Sequence, residues 1–134
     1  ATFNLNAKIG SYARKSGSML FVEPNFLYQS RFLNHISSKR KQDLYQAIGY
    51  VYQDDLHIKI PEGFKANDLP ENTELSSVYG EYNIKYEKIE DKILVTRSVQ
   101  INKGTFGKEY FEEINTFLKG MSKQDKTKIL LVKK

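Results

Sequence analysis

The chain has 134 residues, 21 Lys and Arg against 16 Asp and Glu, a formal net charge of +5, and neither cysteine nor tryptophan. The lack of cysteine excludes a thiol nucleophile, a CxxC redox pair, a zinc–thiolate site and any disulfide. No apolar run approaches the roughly 20 residues that cross a bilayer, so no membrane span is expected. The basic residues are scattered, with compact runs only at Lys39-Arg40-Lys41 and Lys133-Lys134. They read as a solvated loop and a tail, and no nucleic-acid partner is expected. Nine tyrosines and eight phenylalanines supply large buried areas to a chain only 40% hydrophobic. A chain of this length suits one domain, residues 1–134, that needs no metal or disulfide staple.

Thr2 to Ala13 alternates like an opening strand, with Phe3, Leu5, Ala7 and Ile9 on one face, and does not resemble a signal peptide. Arg14 to Ser18 reads as a turn around Gly17. Met19 to Val22 reads as a second strand stopped by Pro24, or extended through Asn25 to Tyr28, completing a hairpin. Arg31 to Leu44 reads as a long surface loop of the kind that binds partners. Tyr45 to Ile60 is expected to be one long strand, bent near Gly49 or broken at Gln53-Asp54-Asp55. In the following stretch to Asn72, Pro61 removes a donor, Gly63 permits a sharp change of direction and Pro70 closes the connection.

Val78 to Ile101 is the clearest hairpin. Tyr82, Ile84 and Tyr86 alternate with polar residues, and Ile93, Val95, Val99 and Ile101 repeat the pattern beyond a Glu90-Asp91 turn. Arg97 shares the face of those aliphatics, so it is expected at the sheet margin or paired with a carboxylate. Gly104 is read as ending the strand. Phe106, Tyr110, Ile114, Phe117, Leu118 and Met121 then recur at helical spacing, with Glu109, Glu112, Asn115 and Lys119 on the other face. Asn102 or Thr105 would cap this helix, Gly120 would weaken its end, and Ser122 to Lys126 is polar. Lys128 to Val132 closes the chain as a strand covered on both sides. The expected fold is mainly β (α+β): an antiparallel β-sandwich with one C-terminal amphipathic helix followed by a final strand.

Little in the chain points to catalysis. His35 and His57 are too few for a structural zinc site, and Ser37 and Ser38 near His35 lack a GxSxG elbow. No glycine-rich phosphate loop is present. Adjacent carboxylates on a strand point to opposite faces, which disfavours joint acid–base work by Asp54 and Asp55. No catalytic, metal or cofactor residue is therefore assigned. Strands favour tyrosine for packing alone, but exposed tyrosines can also grip a protein or stack a sugar. The candidate interaction surface is Arg40, Tyr45, Tyr50 and Tyr52.

A further set of segments runs in order from the loop to the end of the chain. It comprises Ser38 and Arg40, IKIPEGF (58–64), LPEN (69–72), GEYNIKYE (80–87), ILVTRSVQINKG (93–104), EYFEEINTFLKGM (109–121) and KILLVKK (128–134). Over these, about two-thirds of its length, the chain resembles the C-terminal domain of unknown function that follows a transglutaminase-like domain in multi-domain proteins of Gram-negative bacteria. The resemblance implies a non-catalytic accessory domain, because the Cys-His-Asp machinery belongs to the preceding domain and no cysteine is present here. It also implies a periplasmic or outer-envelope location, with the upstream transglutaminase-like domain or another protein as partner. The alternative expectation is a carbohydrate-binding β-sandwich module with a glycan partner, which the lack of tryptophan disfavours.

Overall fold

The computed structural model describes residues 13–24 and 35–134. The expected strand over Thr2–Tyr12, the extension at Asn25–Tyr28 and the start of the Arg31 loop lie outside these residues. The elements are β1 (Arg14–Ser16), β2 (Met19–Val22), β3 (Leu44–Gln46), β4 (Tyr50–Lys59), β5 (Phe64–Ala66), β6 (Thr73–Ser77), β7 (Gly80–Ile89), β8 (Lys92–Ile101), β9 (Gly104–Phe106), α1 (Phe111–Asp125) and β10 (Ile129–Lys133). They form three antiparallel sheets, ordered β1-β2-β10-β5, β3-β9 and β4-β8-β7-β6. The protein is thus mostly β, with one late helix and a closing strand.

The long alternations behave as their period requires. β7 and β8 pair from Gly80↔Ile101 to Ile89↔Lys92 around the Glu90-Asp91 turn. Tyr82, Ile84, Tyr86, Ile93, Val95, Arg97, Val99 and Ile101 are all buried on one face. β4 runs unbroken through Gln53-Asp54-Asp55, contrary to the break considered above. Asp54 sits directly across the ladder from Arg97, while Gln53 and Asp55 point to the exposed face.

Three readings are corrected. The turn after β1 is shorter than Arg14 to Ser18, since Arg14, Lys15 and Ser16 already pair with Phe21, Leu20 and Met19. Tyr45 to Ile60 is two strands in different sheets, because β3 pairs with β9 and β4 with β8. Gly104 begins β9 rather than ending β8, which stops at Ile101. Phe106 is a strand residue opposite Leu44, not the first turn of the helix, and extended Gly107 separates it from α1.

The Pro61–Gly63 corner moves the chain from the third sheet to the first. The Phe64 amide donates to the Pro61 carbonyl at 3.1 Å, and Gly63 takes φ +86°, a conformation costly for any residue with a Cβ. β5 then pairs with β10, and the Asn72 carboxamide accepts from the Tyr86 amide at 2.8 Å as the chain returns to the third sheet.

α1 starts from a 3-10 turn at Lys108–Tyr110 and has no side-chain cap. Asn102 instead donates to the Val78 carbonyl, and Thr105 pairs within β9. Glu112 and Glu113 in the first turn complement the helix dipole. Gly120 does not end the helix. A Cβ there would stand 3.0 Å from Leu75 Cδ1, so glycine lets α1 close onto β6. Ile114, Phe117, Leu118 and Met121 from α1 join Val22, Ile129 and Leu131 of the first sheet and the inner face of the third in one core.

Candidate functional site

At the centre of the core lies a charged cluster built by four elements, β4, β7, β8 and α1. Arg97 on β8 donates from Nε to Asp125 Oδ1 and from Nη2 to Asp125 Oδ2, both at 2.8 Å. This two-point pairing ties the end of α1 to the middle of the sheet. Arg97 Nη1 also reaches Asp54 Oδ2 at 3.3 Å, and the Tyr82 hydroxyl donates to Asp125 Oδ1 at 2.7 Å. The guanidinium carbon lies 5.5 Å from the Tyr82 ring centroid. Burial opposes the Arg97 charge, but the hydrogen bonds and field of Asp125 prevail, so Arg97 holds its proton more tightly than usual. Burial and then the Asp125 charge push the Tyr82 hydroxyl well above the ordinary tyrosine range. The expected carboxylate partner of Arg97 is therefore found, although at the centre of the sheet and not its margin. Arg97, Asp125 and Tyr82 are buried while Asp54 stands at the partly exposed rim, and the cluster reads as a structural lock.

The exposed candidates lie elsewhere. Arg40 donates from Nε to the Gln42 carbonyl and from Nη2 to the Asp43 carbonyl, each at 3.0 Å, so its guanidinium braces its own loop. The loop is fixed to α1 by a reciprocal pair. The Ile36 amide donates to Asn115 Oδ1 at 2.7 Å, and Asn115 Nδ2 donates to the Ile36 carbonyl at 2.9 Å. Asn115 thus serves the loop as a strand partner would, a role invisible in a helix face read only as polar. No hydrogen bond joins His35 to Ser37 or Ser38 among the described residues, and Ser37 Oγ instead accepts from the Lys39 amide at 3.2 Å.

Tyr45 is 69% exposed. Tyr50 and Tyr52 lie on the inner face of β4 opposite Ile101 and Val99, only partly covered because β4 is an edge strand. Their rings meet edge-on at 5.3 Å and 66°. Burial, then the neighbouring Tyr52, raises the Tyr50 pKa. Two further apolar residues were not singled out from sequence: Ile48 is 71% exposed and Val51 63%. The Tyr79 hydroxyl donates to Gln46 Oε1 at 2.8 Å, and Gln46 Nε2 donates to the Ile48 carbonyl at 2.9 Å. That relay holds the connection between β3 and β4 while Ile48 projects into solvent. β4 is hydrogen-bonded along one edge only, by β8, among the described strands.

Among the described residues there is no group of three or more His, Cys, Asp or Glu placed to hold a metal, and no helix long and apolar enough to cross a membrane. The arrangement is that of a mostly antiparallel β domain locked by a buried ion pair, with exposed apolar residues beside a strand that is paired on one side among the described strands. Residues 18–131 match the family described as Domain of Unknown Function with solved-structure structure (DUF3858), and the chain belongs to that family. The match begins well before Ser38, so it includes β2. No curated protein and no solved structure matches the chain.

Proposed function

We propose that this protein is a non-catalytic accessory domain of a transglutaminase-like envelope protein, with its two four-stranded sheets layered as a β-sandwich, and that it docks on the transglutaminase-like domain upstream. The observation that carries this reading is the exposed apolar strip of Tyr45, Ile48 and Val51, three large side chains within seven residues of chain. Single exposed apolar residues are ordinary, whereas three of them beside a strand that is paired on one side among the described strands fit protein contact. Strand edges add backbone hydrogen bonds to such contacts. The family resemblance supplies the upstream domain and the periplasmic or outer-envelope setting. The edge-on packing of Tyr50 against Tyr52 gives no flat platform for a sugar ring, which favours a protein over a glycan partner.

The test mixes this chain with the upstream transglutaminase-like domain in a titration calorimeter. Saturable association is expected, weakened about tenfold or more by Ile48→Asp with Val51→Asp, roughly the 1.4 kcal/mol that a modest interface contact supplies. No association, together with an unchanged melting temperature of the upstream domain, would refute docking. Saturable binding of an envelope polysaccharide that Tyr45→Ser abolishes would favour a carbohydrate-binding module instead.

A further inference from the structure

We propose that the cleft between the 35–38 loop and α1, on a surface distinct from the apolar strip, binds an extended acidic segment of a polypeptide. The cleft has a volume of about 680 Å³. One wall is the loop, carrying His35, Ser37 and Ser38, and the other is α1 and its C-terminal cap, carrying Lys119 and Lys123 on the helix and Lys126 at the cap. The Asn115–Ile36 hydrogen bonds fix the two walls to each other, so the cleft is a built feature of the fold.

The charge in the cleft is unbalanced. Glu112 is the one carboxylate among its lining residues. Among the described residues none of the three lysines forms an ion pair, while Lys128, just beyond, pairs with Glu23 at 3.6 Å. Three unpaired ammonium groups along one wall make a positive field that favours an anionic occupant.

The spacing selects the kind of anion. Residues 119, 123 and 126 are four and three positions apart, which spreads them over roughly 10 Å of helix axis at about 1.5 Å per residue. One phosphate or sulfate cannot engage the whole row. Tight sites for such groups use arginine forks or converging backbone amides, whereas this lining has no arginine and lysine acts as a mobile point charge. Side chains on one face of an extended peptide repeat at about 6.6 Å, close to the 6 Å step between Lys119 and Lys123. The flexible lysine stems absorb the remaining mismatch to Lys126. A nucleic acid strand would want several exposed rings for base stacking, whereas the lining residues offer His35 alone, Phe111 being half-buried against the core.

The experiment uses four probes with the intact chain: a peptide with three glutamates placed two residues apart, a peptide with three glutamates placed four residues apart, inorganic phosphate, and phosphatidylglycerol vesicles. Amide chemical shifts locate binding, and titration gives affinities at low and high salt. The closely spaced peptide is expected to bind about tenfold more tightly than the widely spaced one, to shift residues 35–38 and 116–126, and to weaken with salt. Replacing Lys119→Gln, Lys123→Gln and Lys126→Gln together should remove that binding while circular dichroism remains unchanged. Replacing Lys85→Gln, Lys88→Gln and Lys92→Gln should leave it intact. Equal affinity for both peptides, shifts confined to other residues, or equal competition by phosphate or phosphatidylglycerol vesicles would overturn the proposal. Retention of affinity in the first triple variant would do the same.

Discussion

Removing one oxygen atom from either of two buried tyrosines should move stability in opposite directions. Tyr82 and Tyr86 sit two residues apart on the inner face of β7, and both are buried. The Tyr82 hydroxyl donates to Asp125 at 2.7 Å, a hydrogen bond to a charged acceptor inside the core. Such bonds contribute roughly 1.5–3 kcal/mol, so Tyr82→Phe should cost about 2 kcal/mol while the ring stays in place beside Arg97. The Tyr86 hydroxyl is buried without a hydrogen-bond partner, although its residue is only 7% exposed. An unsatisfied buried hydroxyl costs roughly 1–3 kcal/mol, so Tyr86→Phe should gain about 1 kcal/mol after allowing for the small void left behind. At about 4 °C per kcal/mol for a domain of this size, the two variants should melt on the order of 10 °C apart. Urea unfolding followed by circular dichroism measures both. Equal shifts of the same sign would refute the reasoning, because burial alone would then explain both residues. Alkaline pH gives an independent measure. Burial, then the Asp125 charge, pushes Tyr86 from the ordinary 10.0 up to about 12. Below pH 10 the protonated hydroxyl makes its full contribution. Between about pH 10 and 12 the unfolded chain binds fewer protons than the folded one, so stability falls as pH rises. Tyr86→Phe should flatten that fall, with Tyr82 and the lysines accounting for what remains.

Four other substitutions probe the lock and the sheet. Asp125→Asn leaves the Arg97 charge buried without its two-point partner and should cost about 3–5 kcal/mol, whereas Asp54→Asn, at the longer and more exposed contact, should cost about 1 kcal/mol or less in the same urea assay. Gly80→Ala would drive a Cβ into the Gln100 carbonyl of the neighbouring strand; loss of more than about 2 kcal/mol is expected, and a melting temperature within a degree of the parent would show that the close approach is not required. Glu90 holds φ +54° at the β7–β8 turn, so Glu90→Asn, which tolerates that conformation, should raise stability by about 0.5 kcal/mol, read from the urea midpoint.

How far residues alone lead depends on the range over which each interaction acts. The β7–β8 hairpin was legible because a two-residue turn and ten-residue alternations carry their own register. β5 and β9 were missed, and β3 was merged with β4, because three residues hold no period and their partners lie far away in the chain. β6 was missed because Leu75 is its one large apolar residue, while Thr73 and Ser77 are half-buried nonetheless. Arg97 announced that a carboxylate must meet it, but not which one. A signal for Asp125 did exist: it follows Met121 by four residues and Leu118 by seven, on the same stripe, where an isolated acid needs a buried cation. It was passed over because Ser122 to Lys126 is polar in composition. The surface was harder to read, and for a physical reason. Alternation assigns residues to two faces but not to cover, and at an edge strand cover is the missing quantity. Tyr50 and Tyr52 fall on the inward face yet are only partly covered, while Val51 falls on the outward face and stays exposed. Strand periodicity would class Val51 as an ordinary β-former. Only knowing that β4 has one partnered edge turns it, with Ile48 and Tyr45, into a surface that a partner can use.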